Sequence, residues 1–251
     1  MNSPKYVVIT RSEDDSQTFA NALTKLGLKT VSLPTIRQIK NLSPDELEKY
    51  FSLLSSYDWL IFTSSNGVRF FVAALNELRV DLKQFPQLKI AAVGEKTAET
   101  AKRQGLQVDF IPPKFTTNDL AQKMPPVNGK KILMPRSAIG TPDLEAHLEK
   151  KGAIVTDMPI YTTITQKNDM EGFWKLFASG QILSLTFTSP STVAGFVENV
   201  DTKLQKIRLL PVCSIGPATT KALYEYGFTN IHTADTHTTD GMVRKIRESI
   251  L

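Results

Sequence analysis

Small hydroxyl side chains recur at four places where a short apolar segment gives way to a helical pattern. In open α/β sheets, ligands bind beyond the carboxyl ends of the strands. Backbone N–H groups at a helix start, together with Ser or Thr hydroxyls, bind carboxylates or phosphates. The candidate anion-binding residues are Ser64, Thr97, Ser189, Ser191 and Thr219. For each serine, the alternative interpretation is that it only caps its helix.

Two arginines and one tyrosine are further candidates for chemistry. Arg11 and Arg136 each follow a short apolar run that reads as a strand, where a guanidinium could clamp an anionic group. Pairing with a nearby acid is the competing interpretation for both. Tyr161 lies two residues past Pro159, at a proposed crossover between domains. Its hydroxyl could face an interdomain cleft, or it could be an ordinary half-buried strand tyrosine.

Sequence motifs of nucleotide, metal and serine-hydrolase sites are absent. The chain contains neither a Gly-x-Gly-x-x-Gly segment after a strand, nor a phosphate-binding loop, nor a Gly-x-Ser-x-Gly elbow. His147, His232 and His237 lack metal-ligand spacing with each other and with Cys213. The chemistry should therefore need little beyond positioning and hydrogen bonding.

The elements that position these residues occur twice, because the chain repeats itself. The pairs at a spacing of 125 positions are Arg11 and Arg136, Gly27 and Gly152, and Pro34 and Pro159, and those at 122 positions are Gly94 and Gly216, and Gly105 and Gly227. Two halves of similar length thus carry the same order of motifs. This indicates duplication of one domain rather than a solenoid, which needs three or more short repeats.

Within the first half, short apolar runs alternate with helical patterns. The predicted strands are 6–9, 28–33, 59–62, 88–93 and 106–111, and the predicted helices are 13–26, 68–75 and 96–104, with another opened by Ser43 and Pro44. Strands that alternate with helices are typical of parallel sheets covered on both faces. The fold class is therefore α/β, with two similar domains, each a parallel sheet flanked by helices.

The residues alone leave two domain arrangements open. A tandem arrangement would break near 125–129, where two prolines precede a polar stretch. Alternatively, the chain crosses between the domains twice, at 34–36 and at 159–161, where a proline follows a strand and resists continuation of a sheet.

Composition points to an ordinary globular protein, whose mildly basic balance would suit an anionic ligand. Hydrophobic residues make up 41% and charged residues 22% of the chain, and the formal net charge is +5. The basic residues are spread along the chain, so we expect no nucleic-acid partner. With no run of eighteen apolar residues, no signal-peptide pattern and a single cysteine, we expect a cytoplasmic protein without a membrane partner. We expect a monomer, because no exposed apolar stripe stands out in the sequence.

Five segments in order resemble the signatures of uroporphyrinogen-III synthases. They are 58–68, 93–98, 152–163, 186–193 and 215–223. The resemblance extends from about residue 7 to residue 244, which is nearly the whole chain. Each motif is short, and the specificity lies in their order and intervals.

The resemblance implies a fold, a reaction and roles for residues. One domain would hold 1–35 and 163–251 and the other 37–161, joined by a two-stranded β crossover, with the active site in the cleft. The reaction would be that of a cyclizing hydro-lyase of porphyrin biosynthesis, closing hydroxymethylbilane to uroporphyrinogen III with loss of water and inversion of ring D. The resemblance implies no cofactor and no metal. Tyr161 would assist departure of the hydroxyl group, and Ser64, Thr97, Ser189 and Thr219 match positions lining the cleft.

Two other functions compete with this interpretation. A non-catalytic two-lobed binding protein for a small anion would share the duplicated lobes and the cleft, but not the five signatures. A nucleotide-dependent enzyme such as a methyltransferase would need the glycine-rich loop that is missing. If the resemblance holds, the substrate is hydroxymethylbilane, and the upstream deaminase that makes it is a candidate partner.

Overall fold

The computed structural model describes residues 5–140 and 142–251, with side chains at all of these except 13–15. They form two compact units. The first comprises the described residues up to Arg37 together with Ile164–Leu251, and the second comprises Gln38–Thr163. In chain order the helices and strands are β1 (Tyr6–Ile9), α1 (Glu13–Lys25), β2 (Lys29–Ser32), β3 (Ile36–Lys40), α2 (Pro44–Ser52), β4 (Trp59–Phe62), α3 (Ser65–Leu78), β5 (Lys89–Ala92), α4 (Glu95–Arg103), α5 (Thr117–Lys123), β6 (Lys131–Ser137), α6 (Asp143–Glu149), β7 (Ile154–Thr165), α7 (Glu171–Ala178), β8 (Ile182–Phe187), α8 (Pro190–Val200), β9 (Val212–Ser214), α9 (Pro217–Glu225), β10 (Ile231–Thr233) and α10 (Thr239–Ser249).

Each unit is built on a five-stranded sheet. The first sheet has the order β10-β9-β8-β1-β2, and its neighbouring strands are parallel. The second has the order β3-β7-β6-β4-β5, in which β7, β6, β4 and β5 are parallel. Backbone hydrogen bonds from the Asn41 N–H to the Ile160 carbonyl and from the Gln166 N–H to the Thr35 carbonyl show that the edge strand β3 runs antiparallel to β7. The predicted α/β fold class is therefore confirmed, with parallel sheets flanked by helices.

Strand residues alternate between two apolar layers, which shows that both faces of each sheet are covered. In β4, Leu60 and Phe62 pack with residues of α2, α3 and α4, whereas Trp59 and Ile61 pack with residues of α5 and α6. In β1, Val8 faces one layer, and its neighbours face the other. Strands buried on both faces read as continuous apolar runs rather than as polar–apolar alternation, which is how the sequence presents them.

The sequence repeat is visible in the sheets. The series β9-β8-β1-β2 of the first sheet corresponds to β5-β4-β6-β7 of the second, with strands in the same spatial order. The repeated glycines follow helices in left-handed conformation, with φ of 77° at Gly27, 84° at Gly152, 81° at Gly105 and 81° at Gly227. A residue without a Cβ is favoured at such helix ends.

The strand predicted at 106–111 is wrong. This segment contributes only an isolated bridge between Phe110 and Ala91, whereas the corresponding segment of the first unit forms β10. The reason is local, because the Asp109 carboxylate accepts the Ile90 N–H at 2.7 Å and takes a donor that a backbone ladder would use.

The predicted helix at 68–75 is longer than expected. It begins at Ser65 and ends at Leu78, because Ser64 caps its first turn and Arg79 closes it in left-handed conformation. None of the helices in the described ranges combines the length and apolarity needed to cross a bilayer.

Candidate active site

The Ser64 and Tyr161 side chains meet at the carboxyl end of the second sheet. Ser64 follows β4 and caps α3, where its Oγ accepts the Gly67 N–H at 3.0 Å. Tyr161 lies within β7, and its Oη is 3.1 Å from Ser64 Oγ. Either hydroxyl could be the donor in this contact. If Ser64 donates, the tyrosine O–H is left to donate to a ligand.

The Tyr161 ring is held in place by packing. It stacks on Phe70 of α3 with ring centroids 5.2 Å apart and an interplanar angle of 6°. Only 7% of the residue is exposed, so it is more deeply buried than an ordinary half-buried strand tyrosine. Because the ring is fixed by a stacking partner and the hydroxyl by Ser64, the position of the O–H is preorganised.

A glycine allows α3 to approach β6 closely. A Cβ at Gly67 would lie 2.7 Å from the carbonyl oxygen of Pro135 in β6, closer than real Cβ contacts allow. This approach brings Ser64, at the start of α3, beside the strands β6 and β7. The glycine of the first signature therefore has a packing role that supports the Ser64–Tyr161 contact.

A small cavity of about 170 Å³ adjoins this pair. It is lined by Thr63, Ser64, Thr117, Met134, Arg136, Ser137, Gly140, Asp143, Leu144 and Tyr161. This volume is well below the roughly 300–1,000 Å³ of a drug-sized ligand site. The cavity therefore suits one polar arm of a ligand rather than a whole large molecule.

Arg136 lines the cavity but is occupied by protein partners. Its Nε and Nη2 donate to both oxygens of Asp157, each at 2.6 Å, and its Nη1 donates to the carbonyls of Ser137 and Gly140 at 3.1 and 2.9 Å. Four of the five N–H groups of a guanidinium are thereby engaged. The acid-pairing interpretation therefore describes Arg136 better than that of a free anion clamp, and the residue orders the 137–140 turn.

None of the remaining sequence candidates lines this cavity. Thr97, in the first turn of α4, is 7% exposed, and Thr219, in the first turn of α9, is 2% exposed. Ser189 caps α8 by accepting the Thr192 N–H at 3.2 Å.

Ser191 Oγ lies 2.9 Å from Ser189 Oγ, and Arg11 is partly buried after β1. The structure thus gathers Ser64, Arg136 and Tyr161 at one cavity and places Ser189 beside Ser191.

Four polar residues of the cavity were not singled out from the sequence. They are Thr63, Thr117, Ser137 and Asp143. Thr63 and Ser137 lie one residue from candidates that were chosen, and Thr117 follows Thr116, which caps α5. The cap pattern Thr-x-x-Asp at 116–119 was the available signal. Across the described residues, no three His, Cys, Asp or Glu side chains cluster as metal ligands would.

Comparison with known proteins gives a consistent family. The family described as "Uroporphyrinogen-III synthase HemD" matches residues 17–244. A "Uroporphyrinogen-III synthase" of Synechococcus elongatus is 28% identical over 97% of this chain and 95% of that protein. A "Porphyrin biosynthesis protein HemD" of Ruminiclostridium josui is 30% identical over 96% of this chain, which spans only 48% of that longer protein.

Solved structures show the same fold. A mutant uroporphyrinogen III synthase from the extremely thermophilic bacterium Thermus thermophilus has a TM-score of 0.61 at 20% identity, covering 97% of both chains. The synthetase from Helicobacter pylori 26695 has a TM-score of 0.60 at 18% identity, covering 96% of this chain and 97% of the other.

Proposed function

The chain belongs to the uroporphyrinogen-III synthase family, and from this premise we propose that it closes hydroxymethylbilane to uroporphyrinogen III with the Ser64–Tyr161 pair at the reacting end. It is a cyclizing hydro-lyase of porphyrin biosynthesis. The observation that supports the site is the 3.1 Å contact between two hydroxyls beside a small cavity.

The enzyme must assist cleavage of one bond of the substrate and direct the formation of another. The C–O bond of the hydroxymethyl group breaks, the oxygen leaves as water, and a C–C bond forms at the substituted carbon of ring D to give a spiro intermediate. The older bond between that carbon and its methylene bridge to ring C then breaks and re-forms at the free carbon of ring D, which loses a proton, so that ring D is inverted and the net loss is one water. Tyr161 Oη is the donor we assign to the departing oxygen, as a hydrogen-bond donor or weak general acid. Ser64 acts on Tyr161, because its own O–H can donate to Oη and stabilise negative charge that develops there.

Orientation is the larger demand, since spontaneous closure attacks the unsubstituted position and gives isomer I. An enzyme that holds the flexible tetrapyrrole in one conformer lowers the conformational entropy that must be lost to reach the transition state. The substrate carries eight carboxylates, so anion-binding groups can fix it at many points. A cavity of about 170 Å³ fits one such carboxylate arm near Tyr161.

Helix starts in both units supply further anion sites. The helices α4 and α9 begin at Gly94 and Gly216 without a side-chain cap, in contrast to α3 and α8. Uncapped N–H groups and the positive end of the helix dipole favour carboxylates. We assign the carboxylate contacts to Ser64, Thr97, Ser189, Ser191, Thr219, Arg11 and Arg136. Thr97 and Thr219 would act mainly through the helix starts that they help to form, and Arg136 through its last N–H or the turn that it orders.

The remaining parts of the proposal concern the chain as a whole. We propose that the two compact units are the two domains of the family and that the enzyme acts as a cytoplasmic monomer. The single cysteine, which is buried and free, suits a reducing compartment. Hydroxymethylbilane closes spontaneously, so delivery by the upstream deaminase would limit its loss.

A coupled reaction tests the function. The purified chain is mixed with a deaminase that makes hydroxymethylbilane, the products are oxidised, and uroporphyrin isomers I and III are separated. Predominantly isomer III is expected. Isomer I alone from a folded sample, as in a blank without the chain, would reject the synthase and favour a binding protein. Thermal protection by uroporphyrinogen III, compared with a sugar, an amino acid and a nucleotide, gives an independent readout.

A further inference from the structure

Phe115 is an exposed aromatic residue in an unfavourable backbone conformation. It lies between the bridge at Phe110 and helix α5, its φ is +51°, and 47% of its surface is exposed. Left-handed conformation is rare for bulky residues, and such positions cluster at ligand-binding sites when the surroundings enforce them. An exposed phenyl ring also forgoes hydrophobic stabilisation.

The loop around Phe115 is fixed on both sides by one buried acid. The Lys114 N–H donates to the Asp119 carboxylate at 2.9 Å, and the Asp119 N–H donates to Thr116 Oγ1 at 3.1 Å. Asp119 is only 7% exposed. These bonds hold the backbone on either side of Phe115, so the ring is presented by a constrained loop.

The Phe115 side chain packs at the start of α4, on the same carboxyl edge of the second sheet as Ser64, because β4 and β5 run parallel. A Cβ at Gly94 would be 3.3 Å from Phe115 Cβ and 3.7 Å from its first ring carbon, so the missing Cβ at the start of α4 makes room for this side chain. Thr117, two residues further on, lines the cavity that contains Ser64 and Tyr161. Phe115 is therefore joined to that cavity through a short, fixed segment.

The first unit has a ring at the equivalent position. Phe115 and His237 are 122 positions apart, the same spacing as Gly94 and Gly216. A Cβ at Gly216 would lie 2.9 Å from the imidazole of His237. In both units, a flat side chain thus covers the glycine at which a helix begins. This arrangement belongs to the duplicated domain, but only the second unit carries a purely apolar ring.

We propose that Phe115 is a substrate-binding residue whose ring stacks against a pyrrole of the linear tetrapyrrole, an inference that rests on the proposed function. Pyrrole rings are flat and electron-rich, and aromatic pairs bind in offset or edge-on arrangements with centroids about 4.5–7 Å apart. The carboxylate sites would fix the periphery of the substrate, whereas an exposed ring at the carboxyl edge of the second sheet would fix the plane of one pyrrole. If the ring binds the substrate equally well in the ground state and in the transition state, its removal raises KM and leaves kcat unchanged.

Two substitutions and a control test this inference in the coupled reaction. Phe115→Gly removes the ring and suits the left-handed backbone, so folding should not suffer. We expect its KM to rise about 3- to 10-fold, the range expected for loss of an aromatic pair, while kcat changes less than about twofold. The fraction of isomer I should increase, and the melting temperature should be unchanged or higher. Phe115→Tyr, which keeps a ring, should recover most of the lost affinity. Tyr224→Ala removes an aromatic ring that is 60% exposed on α9 and should leave KM as in the wild type.

Each result separates the inference from its premise. If the wild-type chain yields no isomer III, the proposed function fails. If the wild type is active and Phe115→Gly keeps the wild-type KM, or loses kcat without a change in KM, stacking is overturned. A raised KM accompanied by a lower melting temperature also overturns it, because the ring would then be structural.

Discussion

Tyr161→Phe should lower formation of isomer III at least tenfold while leaving the fold intact. The substitution removes one hydroxyl and keeps the ring, so the stack on Phe70 at 5.2 Å is retained. A hydrogen bond to a group that gains charge contributes about 1.5–3 kcal/mol, which corresponds to roughly a 10- to 150-fold change in rate. Tyr57→Phe is the matched control, since Tyr57 is a buried tyrosine of the same unit, 4% exposed and outside the cavity.

Ser64→Ala extends this prediction to a double-mutant cycle. Loss of the 3.1 Å contact with Tyr161 should lower turnover about 3- to 10-fold, the equivalent of a neutral hydrogen bond of about 0.5–1.5 kcal/mol. Loss of the cap to Gly67 N–H should lower the free energy of unfolding by about 1 kcal/mol. Turnover is therefore measured well below the melting temperature of the variant.

The cycle distinguishes a positioning role from an independent one. If Ser64 acts through Tyr161, adding Ser64→Ala to Tyr161→Phe should change turnover little, giving a coupling energy of about 0.5–1.5 kcal/mol. Strict additivity would show that Ser64 does not act through Tyr161 and would leave it only the proposed carboxylate contact. Near-normal isomer III from Tyr161→Phe in the coupled assay would refute the assignment of Tyr161 as the donor.

Three further predictions concern the scaffold. Gly67→Ala should destabilise the chain by about 1–3 kcal/mol, because its Cβ would lie 2.7 Å from the Pro135 carbonyl oxygen. The control is Gly172→Ala, whose Cβ meets nothing within 4 Å and which should be neutral or stabilising. Equal midpoints of chemical denaturation for the two variants would contradict the packing argument. The hydrogen bonds from the Lys130 side chain and the Lys131 N–H hold the pKa of Asp58 below its ordinary value. The contribution of Asp58 to folding stability is therefore present above the unfolded-state pKa and is lost as the pH falls through the lower folded-state pKa. Asp58→Asn should flatten the acid side of the curve of stability against pH, and an unchanged curve would contradict this role. Burial raises the pKa of Cys213 to about 12, so a thiol reagent at neutral pH should modify this side chain only after unfolding, and rapid labelling of the native chain would show that it is accessible.

The fold was predictable because its signals are local and repeated. Gly27 and Gly152 end helices at equivalent points, and Ser43 with Pro44 marks a helix start that the structure shows with a full capping box. The failure at 106–111 has the opposite cause. The apolar pattern there resembles that of β10, but one side-chain carboxylate, that of Asp109, replaces a rung of the ladder, and periodicity carries no information about such a contact.

The candidate site was predictable in its members but not in their contacts. Ser64, Arg136 and Tyr161 were each chosen from the sequence, and all three line one cavity. What the sequence could not provide was the bidentate pairing of Arg136 with Asp157 and the stack of Phe70 on Tyr161. Both join residues that are distant in sequence or on different elements, and each depends on the register of β6 and β7 against α3.

Duplication also shows why the chemistry is assigned to only one unit. At a spacing of 125 positions, Ser64 corresponds to Ser189, Tyr161 to Ile36 and Phe70 to Gly195. A Cβ at Gly195 would lie 2.3 Å from the Thr35 carbonyl and 3.3 Å from an Ile36 methyl group, so the first unit is packed closely where the second holds an aromatic pair.

The serine cap was therefore retained in both copies, whereas the hydroxyl that it could orient exists in one. Since the Ile36 side chain has no hydrogen-bond donor, Ser189 has no tyrosine hydroxyl to orient; it caps α8 and contacts Ser191. Under the proposed function, the first unit would hold the substrate, and the second would both hold it and assist the departure of its hydroxyl group.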